Sequence, residues 1–245
     1  MRNKDVDFLK DSGPSDFFSE LVDFDIKNEE GYPDLELNEE ALFEKLRNAL
    51  PDEISSNAIW YIINCTKKRA NAAFEYGQIF SYKTGKPTSI EFLGTETAIR
   101  FKTFGPKINL NYLSNDELNK FYSLPYNESF ISYIGEDFLA IQHNHTKSGY
   151  NAPSAADFEL LLSNGWIDYL FAISSKEIWM IESKGHSTML EYVKISEKIR
   201  EIEHGVDDMK KVGFSLNERQ KYYSNEIINY INNCEFNVHA YRVVL

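Results

Sequence analysis

Cysteine is scarce in this chain, with two residues, Cys65 and Cys234, among 245. Two thiols so far apart, with no CxxC, exclude a disulfide framework and read as free thiols buried in a reducing compartment. Long hydrophobic runs are also missing. No stretch approaches the roughly 18 apolar residues that a bilayer span requires. The opening segment MRNKDVDFLKDSGPSDFF carries acids where a signal peptide needs an apolar stretch, so a cytoplasmic location is expected. Secretion by a route that uses no such signal leaves no mark on a sequence. Glycine-rich phosphate loops are absent, no serine sits in a nucleophile elbow, and neither cysteine has an adjacent histidine. Basic charge is short, with 26 Lys and Arg against 38 Asp and Glu, a formal net charge of −12. An acidic surface repels phosphate backbones and anionic lipid, which disfavours general nucleic-acid binding and membrane docking.

Apolar side chains are plentiful. Hydrophobic residues make up 42% and aromatic residues 14%, which excludes global disorder. The length suits one generous domain, or one domain with appended segments. Residues 1–36 are acidic and broken by Gly13, Pro14, Gly31 and Pro33, with one short amphipathic piece at 17–24. A helix capped by Asn38 is expected over 38–49, ended by Pro51. A second is expected over 54–73, burying Ile54, Ala58, Ile59, Ile62, Cys65 and Ala70 and leaving Lys67, Lys68 and Arg69 on a solvated face.

The pattern then turns to extended chain. Strands are expected at 76–82, 89–93, 98–103 and 138–145, with a helix at 116–122 between the last two. A short helix at 154–165 follows, then two strands, IDYLFAI and EIWMIES, around Ser174-Ser175-Lys176. Amphipathic helices at 187–204 and 218–234 and a last strand in FNVHAYRVVL complete the reading. Strands alternate with helices through the middle, which predicts an α/β fold in which helices sandwich a mixed sheet. The expected division is an acidic arm with one helix at 1–53, a core domain at 54–185, and a helical extension at 186–245.

The chemistry concentrates at His143-Asn144-His145. On a strand, residues i and i+2 point to one side, so two imidazoles converge at a strand end. That spacing suits a tetrahedral metal with nitrogen about 2.0–2.1 Å from zinc. Zinc needs a third protein ligand and, for catalysis, an open position. The loop TKSGYNAP leads to Ser154-Ala155-Ala156-Asp157, and Asp157 in the first turn of the next helix can face the histidines. Ser154 with Asp157 is equally an S-x-x-D capping pair, which satisfies free helix N–H groups without any metal. His186, His204 and His239 stand alone and read as structural or exposed.

His143-x-His145, a short loop and Ser154-x-x-Asp157 together resemble the JAMM motif of the JAB/MPN metalloprotease family, in its bacterial, phage or RadC-like branch. Family members carry a proline after the second histidine, where this chain has Thr146. That departure concerns the shape of the loop rather than a ligand. The resemblance spans about residues 74–182 and implies a JAB/MPN-like (cytidine-deaminase-like) core. It also implies Zn2+ on His143, His145 and Asp157, and an upstream glutamate as general base. Glu75, where the long helix gives way to a strand, resembles that glutamate, with Glu91 and Glu96 as competitors. The resemblance assigns Ser154 to oxyanion stabilisation. It implies hydrolysis of a peptide or isopeptide bond in a protein or peptide substrate, such as a ubiquitin-like tail. A catalytically inactive MPN-like interaction module is the alternative. A third reading is set by Asp168 and Glu182-Ser183-Lys184, whose spacing is similar to that of PD-(D/E)xK nucleases.

Overall fold

The computed structural model describes residues 33–88, 91–94, 99, 138–147, 149–163, 167–183 and 189–245. The strand expected at 98–103, the helix at 116–122, the arm's amphipathic piece, Glu96, Lys184 and His186 therefore lie outside the described residues. Among the described residues two helices come first, α1 (Glu39–Ala49) and α2 (Ser56–Arg69). Each begins where a side-chain oxygen meets a free backbone N–H: Asn38 accepts from Ala41 N and Ser55 from Ala58 N. The strands β1 (Tyr76–Ser81), β2 (Phe92–Leu93) and β3 (Leu139–Asn144) follow, then α3 (Ala155–Ser163). The chain continues through β4 (Tyr169–Ile173), β5 (Glu177–Ser183), α4 (Met189–Lys211), α5 (Leu216–Asn233) and β6 (Val238–Val244). Among the described residues no helix is long and apolar enough to cross a membrane.

The six strands form one mixed sheet in the order β2-β1-β3-β4-β5-β6. Only β3 and β4 run parallel, and α3 lies in the crossover between them, as a parallel pair requires. Alternation along each strand sends side chains to two cores. Ile79, Ile141, Leu170 and Ile181 stand in register and pack under α3, α4 and α5. Phe80, Ala140, Phe171 and Met180 face the other way, onto Leu42, Leu46, Ile59 and Ile62 of α1 and α2. The turn after β1 presses on α2. Gly85 has φ 71°, and a Cβ there would lie 2.4 Å from the Asn57 carbonyl carbon, so only glycine fits.

The α/β expectation holds, with one correction. Arg69 is not on a solvated face. It is buried, stacked 3.9 Å above the Tyr76 ring, and forks onto Glu91 through Nε and Nη2 at 3.0 and 2.7 Å. A run of three cations looks uniform in sequence, but the third falls on the helix face that meets β1. Packing also runs across the expected boundary at 185/186. Ile195, Ile199, Ile227 and Ile231 share one core with β3 and β4, and β6 extends the sheet. Both cysteines are free, and burial pushes the Cys65 thiol up to about 12, which keeps it protonated and inert.

Candidate metal centre

Residues 139, 141 and 143 alternate onto the α3 side of the sheet, and His145 continues that side just past the strand end. Its backbone N–H still bonds Ile173 O of β4 at 2.7 Å, which keeps the strand direction to that point. The crossover then returns at once into α3, whose first turn carries Asp157. Three ligand atoms meet there. His143 Nε2 lies 2.9 Å from His145 Nε2 and 3.1 Å from Asp157 Oδ1, and His145 Nε2 lies 3.4 Å from Asp157 Oδ2. All three residues are buried, and among the described residues theirs is the one group of three or more such side chains able to hold a metal ion. The donor set passes a simple geometric test, since a tetrahedral ion with bonds of about 2.0–2.1 Å sets its ligands about 3.3–3.4 Å apart.

Hydrogen bonding prepares the donors. His145 Nδ1 lies 2.7 Å from Tyr150 O, and a carbonyl can only accept. That nitrogen therefore carries a proton, which leaves Nε2 as the nitrogen that faces Asp157 and that offers its lone pair to a metal once its own proton has left. Capping and a place in the donor set do not exclude each other for Asp157. Its Oδ2 accepts from Ser154 N at 2.7 Å and Ser154 Oγ at 2.8 Å, while Oδ1 points to His143. Burial raises the Asp157 carboxyl, but the two histidines outweigh it and hold it well below the usual carboxylate range. Burial likewise lowers the His145 imidazole, and the Asp157 hydrogen bond and charge overcome that and hold it above its ordinary value.

Glu75, the residue just before β1, stands near enough to the same cluster for its charges to act on it. Gly77 stands opposite His143 in the antiparallel register, so Glu75, two residues earlier on the same face, comes level with His145. It is buried. Desolvation raises its pKa, His143 and His145 pull it down, Asp157 pushes it up, and the net direction is upward. Its competitor Glu91 is committed to Arg69.

The nuclease constellation is placed differently. Asp168 accepts from Tyr82 Oη and Glu182 from Tyr241 Oη, both at 3.0 Å, at the sheet end away from the histidines. Tyr169 stands opposite Glu182, so Asp168 pairs across the hairpin with Ser183, whose N–H it accepts at 3.0 Å. His204 is exposed, and His239 stacks edge-on against Tyr241.

Sequence reasoning missed the groups that hold the site in shape. Glu203 of α4 accepts from Ala155 N at 2.9 Å, at the start of the helix that carries Asp157. Tyr223 of α5 donates to Pro153 O at 2.9 Å and packs on Tyr150, and Gln220 donates to Gly149 O at 2.7 Å. These contacts bridge 48 to 71 positions, and no local pattern announces them. Comparison of the chain with family models, curated proteins and solved structures finds no match.

Proposed function

We propose that this chain is a zinc-dependent hydrolase of the JAMM type, built on a JAB/MPN-like core, that cleaves a peptide or isopeptide bond. One observation carries the reading: a buried glutamate with a raised pKa faces a buried His-His-Asp donor set from the neighbouring strand. Zinc fits that set of two neutral imidazoles and one carboxylate, and when bound it supplies a Lewis acid that acidifies water and polarises a carbonyl. Glu75 takes the proton from the attacking water and delivers it to the leaving amine. Its partial burial suits both halves of that task, because a desolvated carboxylate holds a proton more readily. Ser154 donates to Asp157 at rest, and turning the hydroxyl about its Cα–Cβ bond frees that donor for the tetrahedral oxyanion. The short strand β2 flanks β1 beside Glu75, so an extended segment such as a ubiquitin-like tail can be held there by strand addition.

The test is a metal assay on protein purified without chelator, followed by hydrolysis of peptide and ubiquitin-like fusion substrates. The native chain is expected to hold zinc, and His143→Ala to lose it. Glu75→Gln is expected to retain zinc, more weakly held, and to lose about 10²–10⁴-fold in turnover. Turnover that survives Glu75→Gln removes Glu75 as the base, and a native chain without zinc leaves the inactive interaction module.

A further inference from the structure

Between the two histidines stands Asn144, on the opposite face of β3 and fully buried. Its carboxamide makes two bonds to the chain at the entry to β1. Oδ1 accepts from Tyr76 N at 2.6 Å, and Nδ2 donates to Phe74 O at 3.1 Å. These are the two peptide groups that flank Glu75. The β1–β3 pairing ends at Gly77 and His143, and β3 stays with β4 beyond that point. Without a substitute partner, Phe74 O and Tyr76 N–H would be left without the strand bonds that the ladder supplies lower down. The Asn144 side chain is that substitute. It occupies the place of a missing strand residue with one acceptor and one donor at the required separation, which neither serine nor leucine offers. On the other edge of β1, Gly94 N donates to Glu75 O at 2.7 Å. The Glu75 backbone is thus held from both sides, and its carboxylate lies near enough to His143, His145 and Asp157 to feel their charges while it accepts from the Ile99 backbone.

We propose that Asn144 is the positioning residue for Glu75: it locks the backbone on either side of the glutamate and so sets the carboxylate against the metal ligands on β3. This inference rests on the hydrolase reading above. It assigns a role to the middle residue of His-Asn-His that neither metal binding nor core packing requires. One short tripeptide then sends two ligands to one face of the sheet and, from the other, aligns the base.

A double-mutant cycle on zinc affinity tests it, using the full chain and a competing chelator with no substrate present. A carboxylate near the ligands adds to metal affinity through its charge, toward the lower end of the about 10–100-fold that outer-shell partners contribute. Glu75→Gln is expected to weaken zinc binding by about tenfold in the native background. In the Asn144→Ala background the same change is expected to cost less than about twofold, because the carboxylate has already drifted. Losses that simply multiply overturn the proposal, as does a Glu75→Gln change that leaves zinc affinity unaltered in the native background. Should Asn144→Ala fail to fold, Asn144→Asp takes its place. It keeps the acceptor for Tyr76 N–H and loses the donor to Phe74, so a reduced coupling is expected. Full coupling in that variant overturns the proposal. A native chain that binds no zinc at all defeats the hydrolase reading itself, which separates the two failures.

Discussion

The oxygens of Asp157 are divided between Ser154 and the histidines, and that division makes the cluster sensitive to pH even without metal. His145 is held above its ordinary value by Asp157, so its stabilising share is complete below about pH 6.5 and is lost as pH rises through the raised value. Asp157 is held below its ordinary value, so its share is complete above about pH 3.9 and is lost as pH falls through the depressed one. Glu75, raised by burial, adds to the loss on the alkaline side. The chelator-treated chain is therefore expected to be most stable in mildly acid solution, and its urea midpoint to fall as pH climbs past 6.5. A midpoint that climbs with pH over that range would contradict the pairing. Zinc binding has the opposite dependence, because the metal must displace the proton that His145 holds. Titration of zinc affinity from pH 8 to pH 6 is expected to show a steady weakening.

Two contacts of α5 act as braces rather than as coverings. On α5, Tyr223 donates to Pro153 O and to Glu203, and its ring supports Tyr150, whose carbonyl fixes the His145 tautomer. Tyr223→Phe keeps the ring and removes the hydroxyl. A loss of about 0.5–1.5 kcal/mol in stability is expected, together with weaker zinc binding, read by thermal unfolding and chelator competition. The other brace closes a sheet edge. In the β5–β6 register Ala240 pairs with Ile181, and its backbone groups point away from β5. Asn232 meets both of them, accepting from Ala240 N at 2.8 Å and donating to Ala240 O at 2.9 Å. An edge strand with bare N–H and C=O groups invites pairing with another chain. Asn232→Ala is expected to increase self-association, measured by sedimentation at rising concentration. Unchanged sedimentation would mean that the flanking charge already protects that edge.

The molecule as a whole is organised about a sheet with a core on each face, and the donor set sits where the core under α3, α4 and α5 meets the sheet end. That arrangement makes the C-terminal segment integral. A fragment of residues 54–185 lacks α1, α4, α5 and β6, and so lacks the side chains that cover both faces. It is expected to be insoluble or to lack a cooperative unfolding transition by circular dichroism. The full chain is expected to unfold in one step. A stable, cooperative 54–185 fragment would show that the flanking segments merely line a domain that stands without them.

Sequence reasoning reached the features that depend on short-range geometry. Alternation along a strand puts His143 and His145 on one side whatever the strand packs against. A capping pair opens α3 at Ser154, and the buried stripe of α2 follows from helical period alone. Glu75 came into view through resemblance, since nothing near it in sequence says that Gly77 will stand opposite His143. The misplaced Arg69 and the overlooked Asn144, Glu203 and Tyr223 share one cause. Each is defined by a partner tens of residues away, and local propensity carries no information about which strands become neighbours. Composition and periodicity by themselves determined the α/β class and put His143 and His145 on one side of a strand, while Asp157 entered the set through resemblance. Tertiary structure alone decided that the glutamate, the donor set and the braces from α4 and α5 meet at one point. Strand register and helix docking are settled by burying both faces of the sheet together, a condition on the whole chain that no short segment contains.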